Sequence, residues 1–267
     1  MNNKQIKILA IGNSFSVDAL QYLYQIASSL GVKDIIIGNL YIGSCSLETH
    51  LNNILNKLPK YIYYTNTNGE WIEHIEHTVN EAILEHKWDY ISFQQVSSLS
   101  GMESSYNEIL LQLVDEVKNL FLSENNPNRN DEVKFIWHMT WAYQQDTTHP
   151  GFINYSNNQL EMYYSIINSV KNKILPNKDF EIIIPNATSV QNARTSILGD
   201  TITRDGFHMS YDLGRYLTGL MFFKQLTNIE IDNIEYCPES ISEEVKQICI
   251  KAVNNAYEKP FEITYIK

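Results

Sequence analysis

Short apolar runs rich in β-branched residues alternate with longer stretches of helical periodicity along this chain of 267 residues. The short runs lie at 4–11, 34–42, 89–94, 132–138 and 181–184. Strands that alternate with helices form βαβ units, because parallel neighbours need a crossover connection. We therefore predict an α/β protein whose central sheet has about five mostly parallel strands and is covered by helices on both faces.

The helical stretches and one hairpin complete the expected organisation. Predicted helices span 18–30, 46–58, 78–86, 102–122, 156–174, 211–226 and, at the C-terminus, about 240–258. Two β-rich segments flank an Asn68-Gly69 pair, which favours a tight turn, so we expect a β-hairpin insertion at about 60–76. No stretch rich in Pro, Gly or Ser divides the chain, and we predict one domain over 1–267.

Charge and cysteine content exclude several classes of partner. The formal net charge is -11, and no Lys/Arg-rich run could meet a nucleic-acid backbone or an anionic membrane. Cys45, Cys237 and Cys249 have no CxxC spacing, which disfavours a disulfide scaffold and a zinc site. The first apolar run is too short for a signal peptide, so we expect a cytoplasmic protein, with secretion open if a leader precedes this chain. The oligomeric state is not predicted.

Candidate catalytic residues follow the first predicted strand and precede a late helix. Gly12-Asn13-Ser14-Phe15-Ser16 would expose a serine hydroxyl where a strand meets a helix, although Ser14 or Ser16 could equally cap that helix. Asp205 precedes His208 by three residues in a loop, and a carboxylate at that spacing can orient an imidazole. Hydrolysis by a serine needs these three groups, because a base must take the hydroxyl proton and a carboxylate must hold the base.

Four segments of the chain resemble the SGNH (GDSL-type) serine hydrolases. They are Ile11–Ser16, Ile42–Ser44, Asp89–Ser97 and Asp205–Leu217. The chain is most similar to the branch with a GNSFS start, a domain of unknown function. The resemblance covers residues 8–217 and implies a three-layer α/β/α sandwich of the flavodoxin-like kind. It also implies an esterase mechanism without a cofactor or a metal.

The resemblance assigns a role to each candidate residue. Ser14 would be the nucleophile, His208 the base and Asp205 the residue that orients it. The oxyanion would be bound by the N–H of Ser14, the N–H of Gly43 and a side-chain amide after the third strand. The wider family has Asn there, whereas this chain offers Gln94, with Gln95 as the alternative. An amide NH2 can donate the same hydrogen bond from either residue.

Residues after the fourth strand suggest the substrate. Trp141 and Tyr143 are expected to line the cleft and stack on a sugar ring, beside a polar loop at 146–158. We therefore expect a small-molecule or glycan ester with a short acyl group, acetyl first. A non-catalytic carbohydrate-binding protein and a lipid or thioester hydrolase stay as alternatives. His74, Glu76, His77 and Glu81 indicate a solvated surface rather than a metal site, since no further His follows at a suitable spacing.

Overall fold

The structure, a computed structural model, describes residues 5–32 and 34–267. Seven strands in this part of the chain form one sheet: β1 (Ile6–Gly12), β2 (Ile35–Tyr41), β3 (Tyr61–Asn66), β4 (Trp71–His77), β5 (Tyr90–Phe93), β6 (Lys134–His138) and β7 (Phe180–Ile184). Their order across the sheet is β4-β3-β2-β1-β5-β6-β7. Lys4, the first residue of the predicted first strand, lies outside the described residues.

The five predicted parallel strands are present, but the sheet is larger than expected. β1, β2, β5, β6 and β7 run parallel, which confirms the mostly parallel α/β fold. β3 pairs with β2 and with β4 in antiparallel fashion. The hairpin therefore extends the same sheet to seven strands. The prediction of about five strands was too low because the sequence shows the hairpin turn without showing which edge the hairpin joins.

Nine helices connect and cover these strands within the described residues. They are α1 (Ser14–Leu20), α2 (Leu23–Ser29), α3 (Leu47–Leu55), α4 (Val79–Glu85), α5 (Asn107–Phe121), α6 (Gln159–Ser169), α7 (Asn186–Arg194), α8 (Leu213–Thr227) and α9 (Glu243–Glu258). The single helix predicted at 18–30 is two helices, with a break at Gln21 and Tyr22. α1 also begins four residues earlier than predicted, directly after β1.

Helix α7 was not predicted. All nine of its residues are buried, although most of them are polar. Hydrogen bonds inside the protein satisfy several of their polar atoms: Asn192 donates to Ala252 O at 3.3 Å, and Arg194 donates to Ala142 O at 3.0 Å. A search for apolar residues at helical spacing misses such a helix, because its burial depends on hydrogen bonds from distant segments.

The helices form two packed groups, as expected for a sheet covered on both faces. α1, α2, α7, α8 and α9 pack against one another, and α3, α4 and α5 form the second group, while α6 contacts α7. No helix among the described residues is both long enough and apolar enough to cross a membrane. The carboxyl ends of the parallel strands meet at one edge of the sheet, and the candidate catalytic residues lie in the loops and helix starts beyond it.

Candidate active site

The junction of β1 and α1 presents Ser14 to solvent and buries its neighbours. Asn13 is the residue that caps α1, and its Oδ1 accepts the N–H of Phe15 at 3.0 Å. The hydroxyl of Ser16 is buried and donates to Asn39 Oδ1 at 2.8 Å. A side chain at Gly12 would collide with that hydroxyl, so the tight junction requires glycine. Neither serine caps the helix, and Ser14 is left free to face the cleft.

The loop before α8 holds His208 against Asp205. One carboxylate oxygen of Asp205 accepts the N–H of Phe207 at 3.2 Å and the N–H of His208 at 2.8 Å. The other oxygen lies 2.6 Å from His208 Nδ1. Gly206 between them has φ +90, and a side chain there would strike Thr147. The loop therefore depends on a glycine for both its backbone angle and its close packing.

The two segments meet in a continuous line of hydrogen bonds. His208 Nε2 lies 2.8 Å from Ser14 Oγ, and the two residues are 194 positions apart in the chain. A carboxylate can only accept, so Nδ1 carries the imidazole proton and Nε2 accepts from the serine hydroxyl. Desolvation alone would raise the pKa of Asp205. Hydrogen bonds from the His208 side chain and from two backbone N–H groups outweigh it and hold that pKa below its ordinary value.

A buried carboxylate that sequence reasoning missed fastens this loop to α1. Asp18 is fully buried and accepts from Arg204 Nη1 at 3.0 and 3.1 Å, from Arg215 Nε at 2.8 Å and from the N–H of Met209 at 2.9 Å. Arg204 Nη1 also donates to Met209 O. Both guanidinium groups lie over the ring of Tyr211. Asp18 thus joins the helix that carries the serine to both sides of the loop that carries the histidine. Arg204 and Arg215 are 186 and 197 positions away from Asp18 in the chain, so no local sequence pattern marks this residue.

A cleft of about 450 Å³ opens over Ser14 and His208. Hydroxyl-bearing residues make up much of its wall, with apolar and aromatic side chains between them. The lining residues are Asn13, Ser14, Phe15, Tyr41, Gly43, Ser44, Ser46, Val96, Ser97, Ser98, Leu99, His149, Phe207 and His208. Gly43 is exposed in this wall, as the resemblance requires. Within the described ranges, the N–H groups of Ser14 and Gly43 have no backbone acceptor and are available to a ligand.

The glutamine amides have other partners than those predicted. Gln94 is buried, and its Nε2 donates to Asn13 Oδ1 at 2.7 Å. Gln95 donates to Ser105 at 3.0 Å and accepts from the N–H groups of Leu47 and Val96. Neither amide lines the cleft. The prediction that Gln94 or Gln95 donates to the oxyanion is therefore corrected. Both amides are hydrogen-bonded to buried backbone and side-chain groups instead.

The prediction that Trp141 and Tyr143 line the cleft and stack on a sugar ring also needs correction. Trp141 and Tyr143 are fully buried. Trp141 stacks on Phe15 at 4.3 Å and donates its indole N–H to Phe207 O at 2.8 Å. The hydroxyl of Tyr143 shares a hydrogen bond of 2.8 Å with Ser97. Both rings support residues that line the cleft, so they lie one layer behind the surface a sugar would touch.

His149 is a cleft residue that the sequence analysis placed only in a polar loop. Its ring packs on Phe207 with centroids 4.6 Å apart. Its Nδ1 accepts the N–H of Gly151 at 3.0 Å, which leaves the proton of the neutral ring on Nε2. Burial and, to a lesser degree, the neighbouring His208 lower its pKa. His149 therefore offers the cleft a neutral hydrogen-bond donor.

The residues weighed as metal ligands do not form a cluster. His74 and His77 pack on Tyr63, with ring centroids 5.9 and 4.7 Å away. Across 5–32 and 34–267, no group of three or more His, Cys, Asp or Glu side chains could hold a metal ion. Cys45, Cys237 and Cys249 are all free thiols. Burial raises the pKa of Cys45 to about 12, so this thiol stays protonated although it lies beside the cleft.

Comparison with known proteins gives the family of the chain. Residues 7–258 match a domain of unknown function, DUF4886. The chain belongs to the DUF4886 family. A crystal structure of a DUF4886 protein from Bacteroides uniformis is 40% identical, covers 98% of each chain and superposes with a TM-score of 0.92.

A second solved structure, more distant in sequence, has the same fold as this chain. It is a protein from Slackia heliotrinireducens described as "a putative SGNH hydrolase", 14% identical, with a TM-score of 0.50. The match covers 84% of this chain and 100% of the other. At that identity the likeness concerns the fold alone. No curated protein matches the sequence.

Proposed function

We propose that the protein is a serine esterase that hydrolyses a short acyl ester, acetyl first, carried on a sugar hydroxyl. One observation carries the catalytic part of this proposal. Asp205, His208 and Ser14 form an unbroken line of hydrogen bonds of 2.6 and 2.8 Å that ends in an open cleft. This is the arrangement that a serine needs to become a nucleophile at neutral pH.

The proposed reaction proceeds through an acyl-enzyme. Ser14 Oγ attacks the ester carbonyl carbon while His208 Nε2 takes the hydroxyl proton, and the N–H groups of Ser14 and Gly43 bind the resulting oxyanion. Collapse of this intermediate breaks the bond to the alcohol, which leaves with the proton held by His208. Water then attacks the acyl-enzyme with His208 again as base, releasing the carboxylic acid and restoring Ser14.

The wall of the cleft supports a small polar substrate. Ser44 and Ser98 bring hydroxyl groups to the wall, and His149 brings an imidazole donor. Such groups suit the hydroxyls of a sugar. A volume of about 450 Å³ holds a monosaccharide ester but leaves little room for a long fatty acyl chain. Trp141 and Tyr143 are buried and give the sugar proposal no support. That support now comes from these polar groups and from the half-buried ring of Tyr41, which lines the cleft.

The first experiment measures hydrolysis of an aryl acetate by the wild type and by Ser14→Ala. The variant should lose turnover and labelling by a fluorophosphonate while it keeps its circular dichroism spectrum. Ser104→Ala is the control, because Ser104 is an exposed serine that does not line the cleft, so this variant should keep turnover within a few fold. Full turnover in Ser14→Ala would refute the mechanism. Absence of labelling in the wild type, together with binding of sugars, would favour the non-catalytic alternative.

The second experiment addresses the substrate. Values of kcat/KM for acetyl, butyryl and octanoyl esters of one alcohol should fall with chain length, and acetylated xylose or glucosamine should release acetate. A rise with chain length would indicate a lipid hydrolase. No release of acetate from any acetylated sugar would refute the carbohydrate part of the proposal.

A further inference from the structure

We propose that Asn13 is the positioning residue of the oxyanion site, because it joins the backbone that carries the Ser14 N–H to the loop that carries the Gly43 N–H. The inference rests on the proposed esterase function and deepens it. The two N–H groups come from different strand ends: that of Ser14 lies at the start of α1, after β1, and that of Gly43 lies in the loop after β2. The ladder between β1 and β2 ends at Gly12 and Tyr41, so beyond it a side chain that bonds to both segments fixes their separation.

The side chain of Asn13 makes that connection. Its Oδ1 accepts the N–H of Phe15 at 3.0 Å, one residue after Ser14. Its Nδ2 donates to Cys45 O at 3.2 Å, two residues after Gly43. Asn13 is itself almost completely buried, with 1% of its surface exposed, so water cannot replace either bond. One planar amide therefore sets the position of both donor-bearing segments.

A buried chain of hydrogen bonds fixes which way this amide faces. Gln94 Nε2 lies 2.7 Å from Asn13 Oδ1, and Gln94 Oε1 lies 2.8 Å from His138 Nδ1. His138 Nε2 in turn lies 3.0 Å from Asn186 Nδ2. All four side chains are buried.

The backbone N–H of Phe15 determines which atom is the donor in each of these hydrogen bonds. The N–H of Phe15 must donate, so the atom it meets on Asn13 is the oxygen, and Gln94 must present its NH2 there. Gln94 Oε1 then needs a proton from His138 Nδ1, and His138 Nε2 accepts from Asn186. Burial lowers the pKa of His138 to about 3, which agrees with the neutral ring that this direction requires. The corrected role of Gln94 is therefore to hold Asn13 rather than to touch the substrate.

The chemistry requires an amide at position 13 rather than a carboxylate. Asp would accept from Phe15 and Gln94 equally well, but it would set an oxygen against Cys45 O where Asn donates. Asn13→Asp therefore removes the bond to the Gly43 loop, sets two oxygens against each other there and buries a carboxyl group, a cost that the control variant must share. Small misplacements of a catalytic donor are costly, and we expect kcat to fall about 10- to 100-fold with KM changed by less than about threefold.

Asn126→Asp is the matched control. Asn126 Oδ1 accepts the N–H of Asn128 at 2.9 Å, and its Nδ2 donates to Phe121 O at 2.7 Å. The pattern is the same as that of Asn13, but Asn126 lies between α5 and β6, at the opposite edge of the sheet from the cleft. Its substitution should lower stability without changing kcat by more than about twofold.

A transition-state analogue separates positioning from general loosening of the structure. A methyl trifluoromethyl ketone adds to the serine and forms an oxyanion, so its Ki depends on the donors. In Asn13→Asp its Ki should rise by the factor by which kcat/KM falls, and the pH profile of kcat/KM should keep its shape because His208 is untouched. Gln94→Glu, which keeps the acceptor for His138 and loses the donor to Asn13, should show the same pattern.

Three outcomes are distinguishable. An active wild type with turnover and Ki unchanged in both variants overturns this inference alone. Equal losses in Asn13→Asp and Asn126→Asp assign Asn13 to stability and also overturn it. A wild type that neither hydrolyses esters nor labels at Ser14 overturns the proposed function as well. If Asn13→Asp does not fold, Gln94→Glu gives the decisive measurement.

Discussion

Acid should destabilise this protein through His138, because the folded state cannot accept the proton that the unfolded chain takes up. His138 is fully buried between two amides, and burial lowers its pKa to about 3. In the unfolded chain a histidine titrates near pH ~6.5. Between these values the unfolded state binds one more proton than the folded state, so stability falls as pH drops from about 6.5 towards 3 and changes no further from this group below that.

The size of this loss of stability depends only on the pKa of the histidine in the unfolded chain, as long as its pKa in the folded state is well below the assay pH. Each pH unit below about 6.5 lowers the free energy of unfolding by about 1.4 kcal/mol. At pH 5 the contribution of His138 is therefore about 2 kcal/mol. His50 has the same fully buried setting, with a pKa lowered to about 3, and should contribute a similar amount independently.

Urea unfolding of the wild type and of His138→Asn at pH 7 and pH 5 tests this prediction. The variant loses packing and should be less stable at pH 7. Its deficit should shrink by about 2 kcal/mol at pH 5, because only the wild type is penalised by the proton. A deficit that is the same at both pH values would refute the reasoning, since it would mean that His138 gains its proton in the folded state as well. His50→Asn provides the parallel case at a second site.

Three further predictions concern the support of the site. Asp18→Asn should lower the free energy of unfolding by about 3 kcal/mol, because two arginines lose their carboxylate, and turnover should fall with it; urea unfolding and aryl acetate assays measure both. Gly206→Ala should cut kcat at least tenfold through its positive φ and the contact with Thr147, and an unchanged kcat would contradict the loop geometry. Trp141→Phe should lower the melting temperature through the lost bond to Phe207, while the ratio of KM for a sugar acetate to KM for an aryl acetate stays constant. A rise in KM for the sugar acetate alone would indicate that Trp141 contacts the substrate.

Local sequence patterns predicted the parts of the protein that depend on local chain geometry. Alternating strands and helices predicted the α/β fold, since periodicity records which face of each element is buried. The strand, Gly12 and the helix after it placed Ser14 at a strand end. The spacing of Asp205 and His208 placed a carboxylate beside an imidazole within one loop. These features arise within a few residues, so sequence neighbours alone specify them.

Tertiary structure decided every feature that depends on which distant group meets a side chain. Gln94 was taken for an oxyanion donor and instead serves Asn13 and His138. Trp141 was expected on the surface and is buried against Phe15. Helix α7 is polar in sequence and buried in the fold, and the hairpin widens the sheet to seven strands. An amide or an indole has the same composition whether it faces a ligand or a neighbouring strand. Only the packing of remote segments, which competes for each hydrogen bond and each apolar surface, determines which of the two it meets.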